Sequence, residues 1–271
     1  MQKARLIVGL TTYNNENLGI SVPGLARLKK QFTLIICNDN PNTHVSRRDV
    51  RRMGYRGKLH IINNTNNMGL RRARLAILDY VRKHFTKSDW IIFVDDDDVL
   101  LNLDTPKISE KHFAVIQNMA VIRTRLVDVL RVMKKPTDFV IDNENIYLVR
   151  PHVGLAGALV KGSAMLRMGD VLNSAQSDLD NIDESLSFRA PVDMMMWSAL
   201  NIVSRHDNTN ISPIYMDKTN YLAIDIDTAT TKYGMPLAPE KDVQKHIMDA
   251  LAKYDAVVRD ALVAAAPAGQ E

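Results

Sequence analysis

Short apolar runs broken by polar loops dominate the first hundred residues. RLIVGL (5–10), FTLIIC (32–37), KLHIIN (58–63) and Ile91 to Val94 have the length of buried strands, and each runs into turn-forming or acidic residues: TTYNNEN, NDNPN, NTNNMG and DDDD. Helical periodicity fills two of the gaps. Residues 19–31 place Leu25 and Leu28 on one face and Arg27, Lys29 and Lys30 near the end. Residues 70–84 put Leu70, Ala73, Ile77, Leu78 and Val81 on one stripe, with Asn66 or Asn67 as the N-cap. Strands alternating with helices predict an α/β fold with a mostly parallel, Rossmann-like sheet flanked by helices. Ligands of such sheets collect at the carboxyl ends of the strands. All four polar clusters follow strands, so the pattern places them on one rim.

After residue 104 the pattern changes. Residues 109–133 predict one or two helices, and 138–149 two short strands around a DNEN turn. VGLAGALVKGSAMLRMGDVL supplies glycines, a short apolar run and then a helix. Residues 192–204 predict a helix, ISPIYMD and NYLAIDI two strands, and 238–264 a long alanine-rich helix. With no repeat and no low-complexity linker, the chain reads as a single domain in three stretches: 1–104 binding a nucleotide, 105–237 facing an acceptor and carrying catalysis, and 238–271 a helix and tail.

Composition narrows the class. The 271 residues are 46% hydrophobic, and the net charge of +4 suits a phosphate-bearing ligand or a polyanionic partner. A single cysteine, Cys37, excludes an intramolecular disulfide and fits a reducing compartment as a buried small residue. The N-terminus MQKARLIVGL leads straight into polar TTYNNEN, unlike a signal peptide, and no transmembrane segment is evident. The expectation is a cytoplasmic protein whose C-terminal amphipathic helix offers a face to a membrane surface or to a second subunit in a homodimer.

The chemistry is concentrated after the strands. Asp95, Asp96, Asp97 and Asp98 follow the fourth strand directly. Adjacent carboxylates raise one another's proton affinity unless a cation or water intervenes, so the cluster is either a solvated acidic turn or a site for Mn2+ or Mg2+ bridging to substrate phosphates. Asp39 either accepts hydrogen bonds from a nucleoside or opens an Asx turn toward Pro41. Gly69 allows a close approach, and Arg71, Arg72 and Arg74 lie in the first turns of a helix, where anions bind. A solvated basic face is the competing explanation. Residues 47–83 nonetheless hold eleven Lys/Arg against only Asp49 and Asp79, an excess that makes surface decoration alone less natural.

RLIVGLTTYN, LIICNDNP, NNMGLRRARL and WIIFVDDDD, in this order, resemble the nucleotide-sugar-binding half of a GT-A glycosyltransferase of the family 2 type. The resemblance implies that Thr11, Tyr13 and Asp39 line a nucleoside pocket. Asn67, Arg71 and Arg74 would approach the donor, Asp95 and Asp96 would bind it, and Asp97 and Asp98 would stand nearest the metal. Two departures bear on base and ribose recognition: CNDN stands where DDGS is commoner, and Leu75 follows Ala73-Arg74 where asparagine is usual. In the second half Asp193 in APVDMMMW is the implied catalytic base, although Val192 occupies the position of an expected acid; a helix-dipole role is the alternative. Asp183 and Glu184 form a fallback pair, and Gly157 would approach the sugar. His206 is more naturally a surface histidine than a late metal ligand. Met194, Met195, Met196 and Trp197 read as helix core rather than as a sugar platform.

The implied activity is a metal-dependent, inverting transfer from a nucleotide-diphospho-sugar, with a UDP-sugar the first choice. The acceptor would be a hydroxyl of a glycan, a lipid-linked sugar, a protein or a nucleic acid. DNA-base glycosylation on the same fold and nucleotidyl transfer are the alternatives, the latter ranked lower because no glycine cluster follows the first strand.

Overall fold

The computed structural model describes residues 4–86, 89–105, 112–124, 146–151, 154–185, 192–207, 212–226 and 240–265. Four strands, β1 (Leu6–Thr12), β2 (Thr33–Asn38), β3 (Lys58–Asn63) and β4 (Trp90–Asp95), form the parallel half of the sheet in the order β3-β2-β1-β4. Their side chains alternate between two cores, as a period of two requires. Ile7, Ile35, Cys37, Ile91 and Phe93 face one helical layer; Leu6, Val8, Leu10, Leu34, Ile36, Ile92 and Val94 face the other.

Helix α1 (Leu18–Arg27) and the short α2 (Arg47–Arg52) cover the second face, while α3 (Leu70–His84) covers the first. The stripe predicted for α3 is buried: Ala73, Ile77, Leu78 and Val81 are each at most 1% exposed. Burying such an aliphatic side chain contributes about 1.5–3 kcal/mol each for the larger ones, enough to fix the helix over the sheet. The start of α3 differs from the expectation. Gly69 occupies the N-cap with φ +80°, and Asn67 sits before it, accepting the Gly69 N–H at 3.1 Å.

The second half extends the same sheet. After β5 (Val99–Leu100) come β6 (His112–Thr124), β7 (Ile146–Pro151), β8 (Leu159–Lys161) and β9 (Ser212–Ile226). The order continues β4-β8-β6-β9-β5, with β7 also on β6; β8 is antiparallel to β4 and β6 parallel to β9. Helices α4 (Gly162–Ser174), α5 (Gln176–Ser185), α6 (Val192–His206) and α7 (Glu240–Ala264) accompany it. The helix expected across 109–133 is instead β6 over its described part. Phe113, Ala114 and Val115 are all buried, so the segment is apolar on both faces and its sequence carries no alternation to separate strand from helix. ISPIYMD and NYLAIDI join into one strand whose register against β6 shifts at several points. Of the two strands expected around DNEN, β7 is present, and 138–145 lie outside the described residues. The described residues contain no helix long and apolar enough to cross a membrane.

Candidate active site

The parallel register fixes the site. Thr12 lies opposite Asn38, Asn38 opposite Asn63, and Thr11 opposite Asp95, so the loops after β1, β2, β3 and β4 leave the sheet along one rim. Hydrogen bonds continue the ladder beyond the strands: Asp39 N–H donates to Thr12 O at 2.8 Å, and Asn64 N–H to Asn38 O at 2.9 Å. The loops then brace one another through side-chain amides. Asn38 Nδ2 donates to Thr43 O at 2.8 Å and to Asn63 Oδ1 at 3.1 Å, and Asn40 Nδ2 donates to Tyr13 O at 2.9 Å. The asparagines of this rim have a structural reason in part: the Asn38, Asn40 and Asn63 amides satisfy loop backbone groups that no strand reaches.

The four aspartates diverge. Asp98 N–H donates to Asp95 O at 3.2 Å, closing a turn that sends each side chain in its own direction. Asp95 accepts from Arg74 Nη2 at 2.9 Å. Asp96 folds back to β1, accepting from Thr12 Oγ1 at 2.5 Å and from Asn17 Nδ2 at 3.3 Å. Asp98 is buried beside the Tyr221 hydroxyl, which also accepts the Asp95 N–H at 3.1 Å. Burial and the charges of Asp98 and Asp95 push the Tyr221 phenol well up. Asp97 alone of the four makes no side-chain hydrogen bond or ion pair with another residue among those described. Burial, then Asp96 and Asp95, push its carboxyl up to about 8. Burial also raises Asp96, to about 6, against the opposing Thr12 and Asn17 hydrogen bonds.

Among the described residues no three His, Cys, Asp or Glu side chains converge as a ready-made metal cage. The turn fits a hard cation in another way. Mg2+ and Mn2+ are commonly held by one or two carboxylates, with substrate phosphates completing the shell. A carboxyl that takes up protons this readily for want of a counter-charge has the chemistry for that position.

Arg74 lies behind this turn and is fully buried. Besides Asp95 it holds Asp193 Oδ1 at 2.7 Å, with its guanidinium carbon 5.4 Å from the Phe93 ring centre. Burial works against its charge, but Asp193 and Asp95 outweigh it and hold the guanidinium charged. Asp193 Oδ1 also accepts the Ala156 N–H at 2.8 Å, which ties the first turn of α6 to the loop before β8. In that loop Gly157 has φ +77°, its N–H donates to Phe93 O at 2.8 Å, and a Cβ would stand 2.9 Å from the Tyr221 ring. Arg74, Asp95, Asp193 and Gly157 therefore converge on the end of β4.

Other candidates lie elsewhere or are already engaged. Asp39 is 5% exposed; its oxygens accept Asn64 Nδ2 at 2.8 Å, the Met68 N–H at 3.0 Å and the Gly69 N–H at 2.7 Å, so it anchors the loop into α3. Thr11 is buried in β1, and Tyr13 is exposed at the rim. Arg71 is buried and turned to Asp180 of α5 at 2.5 Å. Trp197 is core, with its ring centre 6.1 Å from that of Phe113. His206 ends α6, about 20 Å from Asp193 at 1.5 Å per residue, and pairs with Asp207 at 3.6 Å. The side chains of Asp183 and Glu184 lie outside the described residues. A cavity of about 910 Å³ between α6 and α7 touches none of the aspartates 95–98. Thr12, Asn17 and Tyr221 escape a sequence reading. The first two sit among many polar loop residues, and Tyr221 reaches the turn only through the pairing of β9 with β5.

Residues 7–114 match the family described as Glycosyl transferase family 2. The chain has a GT-A fold, and this stretch, short of half its length, resembles that family. The matched segment runs from β1 into β6 and contains the whole rim. No curated protein sequence matches this chain. Among solved structures, GalNAc-T7 with UDP, GalNAc and Mn2+ aligns at 9% identity and TM-score 0.50, covering 97% of this chain and 58% of that one. TarS 1-349 of S. aureus aligns at 16% identity and TM-score 0.48, covering 96% and 82%. The mannosyltransferase PcManGT from Pyrobaculum calidifontis, in complex with GDP-Man and Mn2+, aligns at 14% identity and TM-score 0.42, covering 100% and 77%.

Proposed function

We propose that this chain is a metal-dependent glycosyltransferase that uses a nucleotide-diphospho-sugar, with a UDP-sugar the first candidate, and inverts the anomeric carbon. The observation that carries the reading is Asp97: a carboxyl just after a buried strand, unpartnered among the described residues, with its proton affinity raised by burial and then by two neighbouring acids. The GT-A neighbour crystallised with UDP and Mn2+ is consistent with it. Asp97 would be the principal metal contact, with Asp95 beside it. Asp98, turned to Tyr221, would support the turn rather than hold the ion. Asp96 would act by fixing the β1 loop through Thr12 and Asn17. Tyr13 and the loop anchored by Asp39 would face the nucleoside.

A divalent cation bound here would supply electrostatic stabilisation to the departing diphosphate. Asp193, held by Arg74 and the Ala156 amide with 24% of its side chain exposed, would take the proton of the acceptor hydroxyl. The acceptor oxygen bonds to the anomeric carbon as the bond to the diphosphate oxygen breaks and its electrons leave with the diphosphate. One displacement of this kind inverts the carbon. Arg74 touches both carboxylates and keeps the base and the donor turn in fixed relation.

The test is donor hydrolysis and sugar transfer with Mn2+, across UDP-, GDP- and dTDP-sugars. Asp97→Ala is expected to lose about a hundredfold or more of the rate, the scale of removing one preorganised electrostatic group. Transfer by that variant at the parental rate, indifferent to chelator, contradicts the metal assignment.

A further inference from the structure

The eleven lysines and arginines between 47 and 83 fall into two populations. On α3, Arg71 and Arg72 are held by Asp180, Arg74 by Asp95 and Asp193, and Arg82 by Asp170. On α2 and the approach to β3 the cations are not neutralised in this way. Among the described residues Arg47, Arg48, Arg56 and Lys58 make no ion pair. The one nearby acid, Asp49, lies 3.7 Å from Arg52 and is engaged by the Ser46 cap. Residues 44–60 carry six Lys/Arg and this single acid, a net +5, while the whole chain is +4, so all other residues together are net −1. This one segment thus carries more positive charge than the chain's net total.

The arrangement selects among partners. Arg47, Arg48, Arg52, Arg56 and Lys58 are exposed, and five of the six cations are arginines, whose planar fork suits phosphate oxygens. Two are pinned: Arg51 donates to Tyr55 O and Gly57 O, each at 3.0 Å, and Arg56 donates to Arg51 O. The cations follow the sheet edge. α2 starts near the rim, where the Val45 N–H meets Asn63 Oδ1 at 2.9 Å, and the edge strand β3 begins at Lys58 at the opposite end. Six residues of strand span about 20 Å, so the cations form a strip rather than a cluster. The exposed large apolar residues, Tyr13, Met68, Met194, Tyr215, Met248 and Val263, all lie outside the segment. Membrane-surface elements pair basic residues with apolar ones that enter the acyl boundary. A strip of arginines without them matches a linear polymer with regularly repeating charge.

We propose that the α2–β3 edge binds a linear phosphodiester polymer. The surface is separate from the aspartate turn, so its occupancy needs neither donor nor metal, and its failure would leave the glycosyltransferase reading untouched. The test is anisotropy of a labelled oligothymidylate of about 20 nucleotides with the full chain, without donor or metal. If about four phosphates are neutralised, affinity falls about 50-fold between 50 and 200 mM salt. Arg47→Glu/Arg48→Glu/Arg52→Glu abolishes binding; acids at the start of α2 favour the helix, and circular dichroism confirms the fold. Lys245→Glu/Lys253→Glu/Arg259→Glu, the same charge change on exposed positions of α7, retains binding. Vesicles of phosphatidylglycerol and phosphatidylcholine in equal parts bind more weakly than the oligonucleotide. Absence of binding at 50 mM salt, equal loss in both triple variants, or tighter binding to the vesicles overturns the proposal.

Discussion

At Asp97 burial and two neighbouring charges act in the same direction, and the consequence can be measured without any substrate. An acid whose folded-state affinity for a proton exceeds its unfolded one stabilises the fold fully below the unfolded pKa, about 4 for aspartate, and that contribution is lost as pH rises through the folded value. For Asp97 the folded value is about 8, so the metal-free protein loses this contribution between about pH 4 and 8. Asp97→Asn removes the titration. Urea unfolding in chelator should show the variant gaining on the parent from pH 5 to pH 8, by about 1 kcal/mol or more, or roughly 2–4 °C in Tm. An equal difference at both pH values contradicts the environment described for Asp97. Arg74 is the opposite case, a buried cation holding two acids. Arg74→Met leaves Asp95 and Asp193 without it, and unfolding should show a loss of about 3–5 kcal/mol. A loss below about 1 kcal/mol, the scale of a surface pair, would show that the cluster does not bear on stability.

Between elements, the acid turn and the loop before β8 are joined by Tyr221 and Gly157. A Cβ on Gly157 would combine φ +77° with a 2.9 Å approach to the Tyr221 ring. Gly157→Ala should therefore cost about 1–3 kcal/mol and reduce turnover, because Tyr221 also meets the Asp95 amide. Parental stability and turnover in this variant would show that the loop accommodates the methyl group. The legibility of these elements in the sequence followed their patterning. β1 to β4 and α3 were readable because runs of buried-strand length end in polar clusters and the helix carries one apolar stripe. β6 was not, because burial on both faces erases the alternation that marks a strand. α2 was not, because six residues are too few to show a helical period. Within the site, the convergence of the four loops followed from the parallel topology alone. The separate orientations of Asp95, Asp96, Asp97 and Asp98 did not, since they depend on Thr12, Asn17, Arg74 and Tyr221, distant in sequence and brought close by strand pairing.

Across the whole molecule, one sheet carries both halves. Its parallel part presents the rim, and its mixed extension, through β8 and β9, presses Gly157 and Tyr221 against the end of β4. Asp193 arrives from the N-terminus of α6 on the far side of Arg74, so one buried cation links the aspartate turn to the second half of the chain. Asp97 is proposed to make this rim a site for a divalent ion and a nucleoside diphosphate together. Titration calorimetry of UDP into the protein with and without Mn2+, repeated with Asp97→Asn, tests it most directly. The expected result is binding that requires Mn2+ in the parent and is lost in a variant that remains folded. UDP binding of equal strength with and without Mn2+, or unchanged in Asp97→Asn, would contradict it.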